Sequence, residues 1–475
     1  MVPYPSWLNA GDNSWQLTAA TLVGLMSIPA LAVLYGGLVQ RKWVVNTMLM
    51  TFSAFCMVLI VWVLWVFKMG FGEPWIKTFV GIPGAVIGHG GEQNRAHIPL
   101  VSGTGGMPHF RFGQASLVYF QFVFAAITPI LFLGSVLGRI NFKVWIIFVP
   151  LWSTFAYSVN AFLLWGGGFW AQKGALDFSG GYVIHLAAGV SGFVAAAVIG
   201  PRLARDRAHG VPNNLPLVAV GAGILWLGWN GFNGGDPYFA SADAGAAVLN
   251  TNLATAVAMM TWIVMDMWFG KERKPTFLGG VNGMIVGLVG ITPAAGYVNG
   301  LGAILIGLID CAIVWLAWNY LSRVRPFSKV DDALGVVYTH GIAGFFGGLL
   351  IGLFADPKMI VYLGLGKNPG VSGAGLFYGH PHQLLVQLGA AVTVIIWDAL
   401  VTFLLLKGIG LFMKLRMPDE MLETGDVAVH GEEAYPVEEG LTRVDASGLV
   451  GAAASSGPPD GPAPSARAKI ASDDK

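Results

Sequence analysis

From about Trp15 to Met413 the chain is a succession of apolar stretches, twenty or more residues long, separated by short polar or charged segments. A helix rises 1.5 Å per residue, so about 20 apolar residues cross the hydrocarbon of a bilayer. The pattern predicts helices at roughly 16–38, 46–71, 115–137, 143–165, 180–200, 215–234, 243–269, 277–294, 298–321, 333–355 and 383–413. The reading is an all-α integral membrane protein with about eleven transmembrane helices. Alternate loops are basic. One set holds Arg41 and Lys42; Arg139 and Lys143; Arg202, Arg205 and Arg207; Lys271, Arg273 and Lys274; Arg323, Arg325 and Lys329. The short loops of the other set are almost free of Lys and Arg. The positive-inside rule makes the basic set cytoplasmic, with the N-terminus outside and the C-terminus inside, which requires an odd helix count.

Residues 1–14 read as an external N-terminal segment and 15–413 as the transmembrane domain. Residues 414–440 read as an acidic cytoplasmic C-terminal segment, and 441–475, rich in Ala, Ser, Gly and Pro, as a disordered tail. The loops 72–114 and 356–382 are long and rich in Gly and Pro, and are expected to be ordered external caps.

Composition agrees with the pattern. Charged residues are 11% of the chain and apolar residues 55%, whereas soluble domains carry about 25% charge. The 66 glycines suit close helix packing in a membrane. No basic run points to nucleic acid, and Cys56 and Cys311 lie inside apolar stretches as small packing residues.

The chain also repeats itself. Asp177, Gly180, His185, Gly189 and Gly192 share the spacing D-x2-G-x4-H-x3-G-x2-G with Asp332, Gly335, His340, Gly344 and Gly347. Ile127-Thr128-Pro129 in the third helix matches Ile291-Thr292-Pro293 in the eighth. Helices 1–5 therefore correspond to helices 6–10, with a final long helix added. Five helices is an odd number, so the halves insert with opposite topology, an architecture that places a pathway at the repeat interface.

The chemistry sits on those repeats. His185 and His340 are ionisable groups deep in apolar helices, where such groups face a cavity or the protein interior. Two facing imidazoles can share a proton, one donating while the other accepts. Glycines four and seven residues later lie on the same helix face and allow the two helices to cross closely. Asp177 and Asp332 begin their helices as N-terminal caps. Asp177 lies beside Trp165-Gly-Gly-Gly168, where an aromatic face and bared backbone suit a cation. Phe120, Phe124, Trp229 and Phe232 are further aromatic candidates. Asp266, Asp310 and Asp398 are expected to make hydrogen-bonded helix contacts. No phosphate loop, nucleophile elbow or metal spacing occurs, so neither an enzymatic reaction nor a cofactor is expected.

Taken in order, several motifs resemble the ammonium transporters of the Amt branch of the Amt/Rh family. They are Tyr35-Gly-Gly-Leu38, Phe120-Gln-Phe-Val-Phe-Ala-Ala-Ile-Thr128, Trp165-Gly-Gly-Gly-Phe169 and Ala175-Leu-Asp-Phe-Ser-Gly-Gly181. They continue through Gly228-Trp-Asn-Gly-Phe-Asn-Gly-Gly235, Gly290-Ile-Thr-Pro-Ala-Ala-Gly296, Asp331-Asp332 with His340-Gly341, and His430-Gly-Glu-Glu-Ala-Tyr435. The resemblance implies that Trp165, Phe124 and the residue at Asp236 recruit external ammonium, and that Phe124 and Phe232 gate the pore. It implies that His185 and His340 are its twin histidines, that Trp229 and Thr292 line it, and that Asp177 supports the outer site. It further implies a homotrimer in the plasma (inner) membrane, and a C-terminal segment with a regulatory role that can meet a PII-type signal protein. Ammonium sensing with little flux, and Rh-like passive ammonia conduction, are the alternative expectations. The chain departs from the family pattern in several places: Asp236 stands where Ser is usual, Gly138 where an acid often precedes Arg139, and Gly335-Val336-Val337 where an acidic-Val-Phe stretch is usual, and the intramembrane Asp310 and Asp398 are also unexpected.

Overall fold

A computed structural model describes residues 5–88, 90–102, 108–208, 210–361 and 372–436. Its helices are α1 (Ala10–Leu38), α2 (Arg41–Phe71), α3 (Gln114–Val136), α4 (Phe142–Gln172, opened by a turn at 165–168) and α5 (Gly181–Ile199). Next come α6 (Leu215–Gly234), α7 (Ala242–Phe269), α8 (Phe277–Ile291), α9 (Gly300–Arg323), α10 (Val337–Phe354) and α11 (His382–Gly410). Among the described residues, ten of these are long and apolar enough to cross a membrane, and α8 is shorter, at 15 residues. The protein is an all-α, multi-pass membrane protein.

The first helix starts earlier than its apolar stretch. Asn9 Oδ1 accepts the Asp12 amide at 3.0 Å, capping a helix that begins at Ala10. Asp12 is buried against Arg111 at 2.6 Å and accepts the Ala240 amide at 2.8 Å. The polar residues 11–14 thus belong to α1.

The two repeats pack alike. A Cβ on Gly192 would meet Ser135 Oγ of α3 at 2.4 Å, and one on Gly347 would meet the Gly290 carbonyl of α8 at 2.4 Å. So α5 rests on α3 as α10 rests on α8. The two repeats cross where Gly189 meets Gly341: a Cβ on Gly189 would lie 2.1 Å from the Gly341 Cα. Only glycine admits that approach. Gly189→Ala is expected to destabilise the fold by about 1–3 kcal/mol and to weaken ammonium-evoked current, measured by thermal unfolding of the purified protein and by flux. An unchanged unfolding midpoint would show that the crossing can open at no cost.

Both histidines lie in π-helical turns, Gly181–Leu186 and Val337–Ile342. Such turns free a carbonyl from the regular ladder and re-aim side chains.

The basic loops meet at one end of the bundle. Arg139 is buried, and its guanidinium donates to the Gly200 carbonyl at 2.7 Å and to the Asp331 carbonyl. Arg202 donates to the Asp331 carboxylate at 2.7 and 3.0 Å. Burial raises the Asp331 carboxyl, but the hydrogen bonds and charge of Arg202 outweigh it and hold the group below its usual range. Lys42 pairs with Asp206 at 3.0 Å and donates to the Leu422 carbonyl at 2.8 Å. Beyond α11 lie two short helices, α12 (Asp419–Thr424) and α13 (Asp426–His430). The Asp426 carboxylate accepts the Val45 and Asn46 amides at 2.8 and 2.9 Å, satisfying orphan donors near the start of α2. Tyr435 and Pro436 are the described residues of a second unit, 435–475, so the expected tail 441–475 lies outside the described residues. In the 72–114 loop a two-stranded antiparallel hairpin forms, β1 (Pro74–Ile76) with β2 (Val80–Gly81).

Candidate functional site

Helical spacing builds the site's upper part. On α3, Phe120, Phe124 and Thr128 recur every four residues, and on α6, Trp229 and Phe232 are three apart, so each set shares a face. The Phe124 and Phe232 rings stack with centroids 4.3 Å apart and planes 23° from parallel. Trp165 meets Phe124 edge-on at 6.3 Å, and Phe120 leans on Phe124 at 4.8 Å.

Asp177 fixes the position of Trp165. Its backbone carbonyl accepts the Trp165 indole N–H at 2.7 Å. Its carboxylate accepts the amides of Gly180, Tyr182 and Val183 at 3.1, 3.0 and 3.0 Å. The chain reaches that geometry through Gly180 at φ +106°, a left-handed conformation that costs glycine little.

Beneath the phenylalanine pair the rings continue. His185 lies 5.9 Å from Phe232, stacks on Trp229 at 5.3 Å, and faces His340 at 5.4 Å with planes 25° apart. The two Nδ1 atoms are 3.3 Å apart. At that distance one carries the hydrogen and the other accepts it. His185 Nε2 is buried without a hydrogen-bond partner. Trp229 donates its indole N–H to Thr292 Oγ1 at 2.9 Å, and that hydroxyl donates to the Leu288 carbonyl at 2.7 Å. Thr292 therefore positions Trp229, which in turn backs His185. Phe124, Phe232, Trp229 and His185 are fully buried, and His340 nearly so.

Asp236 is buried at the turn after α6, with Oδ2 unpartnered. The Ser179 hydroxyl lies in hydrogen-bonding reach of its carboxylate. Ser179 was present in the Asp177-Phe-Ser-Gly180 run, but nothing in the sequence tied it to a loop 57 positions on. Tyr157 is a second residue that sequence reasoning passed over. Its hydroxyl is buried, lacks a partner, and lies within electrostatic range of Asp236 and Asp177.

The other acids divide. Asp398 accepts the Asn160 amide at 2.7 Å and Asp266 accepts the Trp315 indole N–H at 2.8 Å, both across helix contacts. Asp310 differs from expectation: it is buried against Gly290, and neither carboxylate oxygen has a partner. Asp332 repeats the Asp177 arrangement in reduced form, accepting the Val337 amide at 2.8 Å. Among the described residues no cluster of His, Cys, Asp and Glu could hold a metal ion.

A column of buried aromatic rings thus ends in a histidine pair inside a membrane-spanning bundle. A family model, the Ammonium Transporter Family, matches residues 14–435. The chain belongs to that family. Ammonium transporter 2 of Arabidopsis thaliana is 48% identical over 435 residues, covering 91% of this chain and 89% of that protein. Ammonium transporter 3 member 2 of Oryza sativa subsp. japonica is 47% identical over 446 residues, covering 90% of each. The crystal structure of Saccharomyces cerevisiae Mep2 superposes with a TM-score of 0.75 at 28% identity, covering 87% of this chain and 89% of that one.

Two of this ammonium transporter family member's departures have local physical reasons. Gly138 has φ +70°, and a Cβ there would crowd the Trp43 indole at 3.2 Å. Gly335 has φ +74°, and a Cβ would lie 2.1 Å from the Trp318 ring. An acidic side chain fits neither position.

Proposed function

We propose that this protein takes up ammonium across the plasma membrane by separating it into ammonia and a proton at the outer aromatic site. The observation that carries the reading is the His185–His340 pair, with Nδ1 atoms 3.3 Å apart, beneath the stacked Phe124 and Phe232 rings. Ammonium reaches the site from the Trp165 side. Aromatic faces there stabilise a cation by about 0.5–2 kcal/mol, and Asp236 adds a negative charge with a free oxygen. The stacked rings block a hydrated ion. Ammonium and potassium are alike in size and charge, but only ammonium can leave its proton behind. A dehydrated ion pays a Born cost of many kcal/mol in the apolar column, and neutral ammonia does not. The histidines then carry the proton, one imidazole donating as the other accepts. Selectivity is thereby chemical.

The distribution of basic loops supports an N-out, C-in orientation. Assembly as a homotrimer, and docking of a PII-type protein at the C-terminal segment, extend the same family reading.

The test is an ammonium pulse applied to proteoliposomes holding the purified protein. The expected result is a saturable current that potassium does not evoke. With Asp236→Ser the half-saturating ammonium concentration is expected to rise about tenfold, the loss of one partly desolvated charge interaction. Binding of ammonium without current would sink the transport reading and favour sensing.

A further inference from the structure

The outer site is held by a helix that follows the two repeats. Along α11, Gln387, Ala391, Val394, Asp398 and Thr402 recur at helical spacing and are buried. The opposite side is apolar and exposed, Leu385 at 65% and Ile396 at 61%. Gln387 is fully buried, so its amide has to find partners within the protein.

It finds four. Its Oε1 accepts the Leu176 amide at 2.7 Å and the Gln383 side-chain amide at 3.1 Å. Its Nε2 donates to the Leu176 carbonyl at 2.7 Å and to the Gly348 carbonyl at 2.9 Å. Two donor hydrogens and two acceptor lone pairs are all that a glutamine side chain offers. Leu176 is thus gripped by both of its backbone groups. Gly352 of α10 makes room for the grip, since a Cβ there would press on Gln387 Cγ at 3.3 Å. One turn earlier on α11, Gln383 donates to the Gly174 carbonyl at 2.9 Å.

Leu176 precedes Asp177. On the other side of Asp177, the Phe178 and Ser179 amides donate to the Pro293 and Thr292 carbonyls at 3.0 and 3.2 Å. Asp177 is therefore suspended between α11 and the end of α8, and its carbonyl holds the Trp165 indole N–H at 2.7 Å. The same glutamine reaches α10 at Gly348, eight residues after His340. In the second repeat the residue before Asp332 is Asp331, and its carbonyl is held by the Arg139 guanidinium. The inner turn is held by a cation and the outer turn by a neutral amide. A guanidinium in the outer place would repel an arriving cation.

We propose that Gln387 is a positioning residue of the outer site. Through Leu176 it sets where the Asp177 carbonyl holds Trp165, and so how Trp165 meets Phe124. That Trp165 receives ammonium rests on the conduction reading above; the clamp itself does not.

The test is the structure of the Gln387→Met protein, whose side chain keeps its length and loses all four hydrogen bonds. The Trp165 ring is expected to leave its edge contact with Phe124, 6.3 Å in the native protein. Gln387→Asn keeps the amide but falls one methylene short of Leu176, and is expected to show the same displacement, which serves if the methionine variant does not fold. Gln387→Glu still accepts the Leu176 amide and is expected to restore the native position. A Trp165 ring left in place in the methionine or asparagine variant overturns the proposal. In proteoliposomes, Gln387→Met and Gln387→Asn are expected to raise the half-saturating ammonium concentration about tenfold, the loss of one aromatic contact to the cation. Maximal current per folded transporter is expected to stay within about twofold of native, because His185 and His340 are untouched. Lower maximal current at an unchanged half-saturating concentration is the result of a merely structural role, and also overturns the proposal. Displacement of Trp165 in the variants, in a protein whose native form passes no ammonium current, sinks the conduction reading and leaves the clamp standing.

Discussion

Leucine in place of His185 is expected to lower ammonium-evoked charge movement by about a hundredfold or more, while the protein still folds and still passes neutral ammonia. Leucine is similar in bulk to imidazole and suits an apolar column, so the packing between Trp229 and Phe232 survives. What is lost is the one group that can exchange a proton with His340 across 3.3 Å. A proton left at the outer site then has no acceptor on the ammonia path, and the Born cost again opposes its entry. His340→Leu should match His185→Leu, and the double variant should be little worse than either, because a relay fails as a unit. Currents on proteoliposomes, with an internal pH dye reporting ammonia entry, separate the two fluxes. If either single variant kept most of its current, the proton would be crossing by some other route, and the relay would be disproved.

Much of this architecture was legible because membranes impose strict accounting on the chain. Apolar stretches of bilayer length, and loops of alternating charge, leave few alternatives to a helical bundle. The repeated Asp, Gly and His spacing pointed to the histidine pair, because two ionisable groups in hydrocarbon must share an interior. What stayed hidden depends on context that no short segment carries. The tripeptide Ile-Thr-Pro runs through the middle of α3 at residue 129, yet at 291–293 it ends α8. The difference is tertiary: the Thr292 and Pro293 carbonyls are needed to accept the amides of Ser179 and Phe178. Asp310 was read as a helix-contact residue, and its bare carboxylate against Gly290 is visible only in three dimensions. The start of α1 was missed because a cap of Asn9 and an ion pair to Arg111, rather than apolar periodicity, set it. The π-helical turns under His185 and His340 have no composition signal of their own, although they decide where the imidazoles point.

The largest stability effect is expected at Asp177. Alanine there leaves the amides of Gly180, Tyr182 and Val183 without their acceptor, in a site closed to water. Each orphaned buried donor costs about 1–3 kcal/mol, so the loss is roughly 3 kcal/mol or more unless water enters. The consequence spreads, because the Asp177 carbonyl anchors Trp165 and the same turn leads into the π-helical segment holding His185. Asp177→Ala should therefore lose thermal stability and current together. Asp177→Asn keeps one carbonyl acceptor and should lie between alanine and the native protein. Asp332→Ala is the internal control: it removes the bond to the Val337 amide at 2.8 Å, where Asp177 holds three amides, so its stability loss should be about a third as large. Thermal unfolding of the purified variants in one detergent ranks the three. If Asp177→Ala unfolded no earlier than Asp332→Ala, the carboxylate would not be organising the start of α5, and a direct role in holding the cation would have to explain any loss of current.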